Sequence, residues 1–300
     1  MKNMRKWQAT GADKVFNALI LLAGLFFLMI TLFPIIYVIS ASFSSGLALT
    51  QGRVWLFPVD CTLDGYQAIF SVPSIMRGFA NSVFYTFVGT LINIILTLLA
   101  AYPLSRRDMG GRSWLMFLFL FTMLFSGGMI PSFLLVKNLG MLNTLWAIII
   151  PGALNVWNMT ITMNYFRQNI PEDMLEATRI DGCGDFRFFC GFAIPLSKVI
   201  IAVIGLFYAV EHWNSYFGAM LYLSDPAKYP LQLVLRDILV QNSMQDIASS
   251  IDIAQLIKKK NAADLLKYSV IVVSSLPMML IYPFMQKYLV KGVLLGSLKG

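Results

Sequence analysis

Glu176-Ala177-Thr178-Arg179-Ile180-Asp181-Gly182, with Pro195 thirteen residues after the glycine, is a charged stretch set between two long apolar segments at 145–166 and 199–217. Just upstream, Ile170-Pro171-Glu172-Asp173 reads as a helix start: a proline near the first helical position and two acids facing the positive end of the helix dipole. Gly182 reads as the stop, because a residue without a side chain takes the left-handed conformation freely. The two signals delimit a helix of about ten residues, too short to be stable alone in water, so packing must hold it. A second piece starts near Asp185, whose side chain is placed to cap it. It carries Phe186, Phe188, Phe189 and Phe192 into Pro195, at the interface beneath the flanking spans.

The flanking segments set the fold class. The chain has 300 residues, of which 58% are hydrophobic and only 13% charged. Its mean hydropathy of +0.70 is that of an integral membrane protein. A bilayer core needs roughly 20 apolar residues per helix, and six such runs occur, at about 17–40, 78–103, 113–136, 145–166, 199–217 and 265–287. Each is near-continuous in Leu, Ile, Val, Phe and Met without period-two alternation, which predicts helices and excludes barrel strands. The expected fold is all-α: a polytopic transmembrane helical bundle with six spans. The run at 17–40 is longer than the apolar region of a signal peptide, so it is expected to be a retained first span.

Orientation follows from Lys and Arg in the short loops. Lys2, Arg5, Lys6 and Lys14 precede the first span; Arg106, Arg107 and Arg112 join the second to the third; Arg167, Arg179, Arg187 and Lys198 join the fourth to the fifth; Lys287, Lys291 and Lys299 close the chain. Both termini and the connection 167–198 are therefore expected on the cytoplasmic side, and the connection 223–264 outside. The net charge of +8 is accounted for by this asymmetry, as a basic face against anionic membrane lipid, and calls for no nucleic acid. Cys61 is expected outside and Cys183 and Cys190 inside, so no disulfide joins the two sides; the inner pair lacks the further ligands of a metal site.

Between the spans, a surface or re-entrant helix is expected around 64–70. Gly110-Gly111 turns the chain back into the membrane. Ser126-Gly127-Gly128-Met129-Ile130-Pro131 should bend the third span, either as a packing kink or as a gate. The loop 223–264 is too long for a mere connector, and Leu231, Leu233, Val234, Leu235, Ile238 and Leu239 suit a short amphipathic helix within it.

The spacing of Glu176, Ala177, Asp181, Gly182 and Pro195 resembles the EAA loop of binding-protein-dependent ABC importer permeases of type I. Six spans, that loop in the fourth-to-fifth connection, Trp213-Asn214 and Pro230-Leu231 together resemble the carbohydrate-uptake, maltose-importer-like branch. The segments 121–138, 139–157 and 206–239 resemble most the permeases for oligosaccharides cut from complex plant polysaccharides such as pectins. Departures are small: Thr178 stands where Ala is usual, Cys183 where Ala follows the Gly, and Ile194 where Leu precedes the Pro.

The resemblance implies that the loop forms a coupling helix seated in a cleft of a separate ATPase. Glu176 would be the charged contact, Leu175, Ala177 and Ile180 the apolar surface, and Gly182 the sharp turn and close-approach point, with Asp181 counted among the coupling residues. ATP and magnesium would sit on that ATPase; the chain itself contains no Gly-x-x-x-x-Gly-Lys-Ser/Thr loop and is not expected to be an enzyme. The implied assembly is a second homologous permease, two ATPase copies and an extracytoplasmic sugar-binding protein in a bacterial cytoplasmic membrane. The long outer loop 223–264 would reach that binding protein, or else act as a lid on the bundle.

Ionisable groups inside spans are expensive. Glu211 and His212, late in the fifth span, either face water at the outer interface or join Trp213, Asn214 and Tyr216 as a sugar-contacting patch, with aromatic faces on pyranose rings and polar groups on hydroxyls. A secondary, ion-coupled transporter is the main rival, but it would place acidic or His relays in repeated halves, and neither is found in the first four spans.

Overall fold

The computed structural model describes residues 11–245 and 253–297. Every element is helical, and no β-strand is found among the described residues. The described residues divide into two compact units, 11–71 with 241–245 and 253–273, and 72–240 with 274–297.

In the first unit, α1 (Gly11–Ser42) is apolar and uncovered by the rest of the chain along most of its length, with Ser40, Ala41 and Ser42 buried at its end. It is followed by α2 (Gly46–Thr50) and α3 (Asp64–Ser71), the latter matching the helix expected at 64–70. Gly46 and Gly65 sit where helix α15 (Ile253–Ser297), the last in the chain, passes close: a Cβ on Gly46 would lie 2.6 Å from the Asn261 carbonyl oxygen.

The second unit is built on α4 (Pro73–Ser105). After it come α5 (Arg112–Leu124), α6 (Met129–Asn138), α7 (Trp146–Ile149), α8 (Val156–Asn169), α9 (Glu172–Ile180), α10 (Asp185–Phe188), α11 (Ile194–Leu196), α12 (Lys198–Asn214), α13 (Phe217–Tyr222) and α14 (Leu231–Gln245). Helix α4 packs along α12 and α8. Its buried polar face makes the joint: Thr97 and Tyr208 hydroxyls lie 2.7 Å apart, and the Tyr208 oxygen accepts from the Asn155 N–H at 3.1 Å. Such helix-to-helix hydrogen bonds are the usual fate of polar groups inside apolar spans.

Three helices are long and apolar enough to cross a membrane singly, Gly11–Ser42, Pro73–Ser105 and Asn261–Pro283. Two bent pairs pass the same test together: α5 with α6, bent by 114°, and Asp185–Leu196 with α12, bent by 79°. The bend expected at 126–131 is thus present, with Gly128 at φ 88°. The run 145–166, expected as one span, is not one helix. It breaks into α7, a 3₁₀ turn at Ile150–Gly152 and α8. Pro151 removes a backbone donor, and the Asn155 side chain accepts from the Trp157 and Asn158 N–H groups, restarting the chain as an N-cap.

The amphipathic helix expected in 223–264 is α14. Leu231, Leu233 and Val234 are buried, and Ser82 Oγ accepts from the Leu231 N–H at 2.8 Å. The Asn81 amide donates to the Ala227 and Tyr229 carbonyls, fixing the approach to that helix. Of the loop 223–264 expected to meet a partner, residues 246–252 lie outside the described residues.

Candidate functional site

Helix α9 runs from Glu172 to Ile180, with Pro171 at the N-cap. Its end is closed by the turn the sequence indicated: Gly182 adopts φ 77°, its N–H donates to the Arg179 carbonyl at 3.0 Å, and the Cys183 N–H donates to the Thr178 carbonyl at 2.9 Å. Helix α10 then begins. Gly184, not Asp185, is its N-cap, because the Asp185 carboxylate is drawn to Arg179 at 3.1 Å.

Arg179 is the hub. Its Nη2 also donates to Asp108 Oδ2 at 3.1 Å, and Arg106 holds the same carboxylate at 2.7 Å. That charged hydrogen bond from Arg106 keeps the Asp108 carboxyl well below the usual carboxylate range, at about 2, with Arg179 adding to it. Arg107 pairs with Glu172 at 3.1 Å, so the loop after α4 is tied to both ends of α9. The Arg167 and Arg112 guanidiniums donate to the Leu104 and Arg106 carbonyls, satisfying the open end of α4. Between these elements lies a cavity of about 700 Å³ lined by Arg106, Asp108, Arg167, Glu172, Glu176 and Arg179 among others. The sequence pattern assigns none of these arginines to the site: the mixed charges at 106–112 and 172–185 are evident in it, but which of them pair is not.

The residues expected on the handle divide into two sets. Glu176, Ala177, Asp181 and Gly182 are exposed, and Ile180 is 87% exposed. Leu175 is not on that surface: at 6% exposure it points inward, into a core with Tyr102, Phe166, Phe188 and Phe189. On a helix of nine residues one face must anchor, and the leucine is what the anchor uses.

The patch expected around α12 is also split. Glu211, Asn214 and Tyr216 are exposed, but Trp213 is buried at 3%, edge-on to Phe79, with its indole N–H donating to the Ser274 carbonyl at 2.9 Å. With its N–H satisfied and its ring covered, Trp213 is seated as a packing residue. The Asn214 amide donates back to the Val210 carbonyl, and the structure draws these four side chains into no shared hydrogen-bond network among the described residues. His212 is partly buried, with its Nε2 3.1 Å from the Asn93 amide nitrogen, and it lies over Gly89, where a Cβ would come within 2.5 Å of that ring nitrogen. The described residues hold no cluster of three or more His, Cys, Asp or Glu suited to a metal ion.

No family model matches the chain. Individual relatives do. It is 46% identical over 289 residues to the polygalacturonan/rhamnogalacturonan transport system permease protein YtcP of Bacillus subtilis strain 168, spanning 96% of this chain and 99% of that one. It is 41% identical to Protein LplC of the same strain, with both chains covered in full. Among solved structures, a bacterial ABC transporter involved in the import of the acidic polysaccharide alginate contains a chain that superposes with a TM-score of 0.85 at 35% identity, covering 93% of this chain and 98% of that one.

Proposed function

Since this chain belongs to the family of ABC sugar-transport permeases, we propose that its task is to carry oligosaccharides of acidic plant polysaccharides, pectins above all, across the bacterial cytoplasmic membrane. The substrate class rests on what its relatives are named for, polygalacturonan and rhamnogalacturonan in one case and alginate in another. The chain is a multi-pass transporter subunit and not an enzyme. ATP hydrolysis belongs to a separate subunit.

In this reading a second homologous permease completes the pore, two ATPase copies with their ATP and magnesium sit beneath it, and an extracytoplasmic binding protein delivers the sugar. Both termini and 167–198 lie in the cytoplasm. Closure of the ATPases moves α9 as a rigid body and rocks the bundle between inward and outward openings. Glu176, Ala177, Ile180, Asp181 and Gly182 form the contact, while Leu175 serves from behind as the anchor. Glu211, Asn214 and Tyr216, the exposed part of the α12 patch, are the candidate sugar contacts.

One observation carries the coupling role. A nine-residue helix, unstable by itself, is clamped by a buried leucine, a glycine turn and an arginine hub, and still presents Glu176 and Ile180 outward. The test is uptake by proteoliposomes holding the full assembly. Gly182→Asp and Glu176→Lys should remain in the membrane yet lose uptake. Normal uptake in both rejects the coupling role, and uptake driven by an ion gradient without ATP rejects the importer reading in favour of a secondary transporter.

A further inference from the structure

Arg112 opens α5 and Arg167 stands in the last turn of α8, and both guanidiniums reach the same end of α4. Arg112 Nη1 donates to the Arg106 carbonyl at 3.2 Å and Arg167 Nη2 to the Leu104 carbonyl at 3.0 Å, so the two cations stand close together. Both line the cavity behind α9. Burial first, and the charge of Arg112 second, hold the Arg167 guanidinium below its ordinary value.

Counted whole, five arginines and four carboxylates line that cavity, which leaves it close to neutral. The charges are segregated. Arg106 and Arg179 share Asp108, Arg179 also takes Asp185, and Arg107 takes Glu172. The remaining acids, Asp173 and Glu176, are exposed on α9 and make no ion pair among the described residues. Arg112 and Arg167 meet no carboxylate there either. Each guanidinium carries five N–H donors, and two carbonyls with the Met163 thioether occupy only a few of them.

We propose that Arg112 and Arg167 form a binding site for a phosphate group at the headgroup level of the membrane. Forked guanidinium donors match phosphate oxygens, and an anion between two cations removes their repulsion while giving acceptors to the spare N–H groups. Depth selects phosphate over a carboxylate. Both arginines stand where apolar helices meet polar connections, the level at which lipid phosphates are concentrated. The cavity, about 700 Å³, admits a phosphate with part of its headgroup. Its effect is to fasten the ends of α4, α5 and α8, on which α9 is seated. The inference goes beyond the coupling role and stands whether or not α9 meets an ATPase.

The experiment measures, by native mass spectrometry of the full chain in detergent, the retention of phosphatidylglycerol against phosphatidylcholine with the same acyl chains. The wild type should favour the anionic lipid. Arg112→Gln with Arg167→Gln should weaken that retention by about tenfold or more, and Arg112→Lys with Arg167→Lys, which keeps the charge but not the fork, should fall between. Arg107→Gln removes a cation already held by Glu172 and should change nothing. Equal retention in the Gln pair overturns the proposal, as does an equal loss in Arg107→Gln, which would reduce the site to a diffuse basic surface. Melting curves identify the source. If the lipid is not favoured but inorganic phosphate raises the melting temperature of the wild type and not of the Gln pair, the ligand is a soluble phosphate. Absence of both preferences overturns the proposal, and so does displacement of the lipid by galacturonate where phosphate does nothing.

Discussion

At Gly182 and at Gly128 the backbone turns with φ of 77° and 88°, but the two turns are supported in opposite ways. The turn at Gly182 is closed by the Gly182 and Cys183 N–H groups donating to the carbonyls of Arg179 and Thr178 and braced by three ion pairs that link Arg106, Asp108, Arg179 and Asp185. Around Gly128 the N–H groups of Ser126, Gly127 and Gly128 find no hydrogen bond among the described residues, and every residue from 117 to 132 except the partly covered Phe119 is exposed. At bilayer depth, backbone left without partners survives only against protein or a water-filled path. The first turn is finished by hydrogen bonds within this chain, and the second, by that rule, is expected to find its partners in the assembled transporter.

The sharpest break in that contrast comes from labelling, which is all-or-none. In a background of Cys61→Ser, Cys183→Ser and Cys190→Ser, a Gly127→Cys variant should react with a water-soluble maleimide in the single chain. It should lose that reactivity, or cross-link to the second permease, in the assembly. Reaction only with a lipid-phase reagent would mean the break faces acyl chains, and the contrast would be wrong.

A smaller effect tests the finished turn. Leu175 is the apolar half of its support, and Leu175→Ala should cost about 2–5 kcal/mol, the usual range for a buried leucine. Thermal unfolding in detergent reads this directly. A melting temperature equal to wild type would show that ion pairs, and not burial, hold the hairpin.

Much of this was legible beforehand where a residue acts through its own backbone. Pro171 and Gly182 bracket α9 because one lacks an N–H and the other a Cβ. Gly127-Gly128 with Pro131 announces the bend for the same reasons. What stayed hidden depends on partners distant in sequence. Arg179 meets Asp108 across 71 residues, and nothing local says so. Leu175 and Trp213 belong to motifs that suggest contact with other molecules, yet both turn inward, because motif spacing does not carry the direction of a side chain. The run at 145–166 scores as a span by hydropathy, which is blind to the missing N–H of Pro151 and to the capping oxygen of Asn155.

The smallest effect isolates the polar half of the support. Asp108 accepts from Arg106 and Arg179, but its side chain is 50% exposed, so solvent screens both pairs. Asp108→Asn should therefore cost less than about 1 kcal/mol, and about 1 M salt should erase the difference by shortening the Debye length to roughly 3 Å. The pH dependence has a fixed sign. A folded value of about 2 lies below the ordinary carboxylate value, so the stabilisation is fully present above the unfolded value and is lost as pH falls towards 2. Between pH 5 and 8 the wild type and Asp108→Asn should differ by a constant amount. A cost well above that of Leu175→Ala, or one indifferent to salt, would make the arginine hub and not the leucine the reason this turn stands without help from a neighbour.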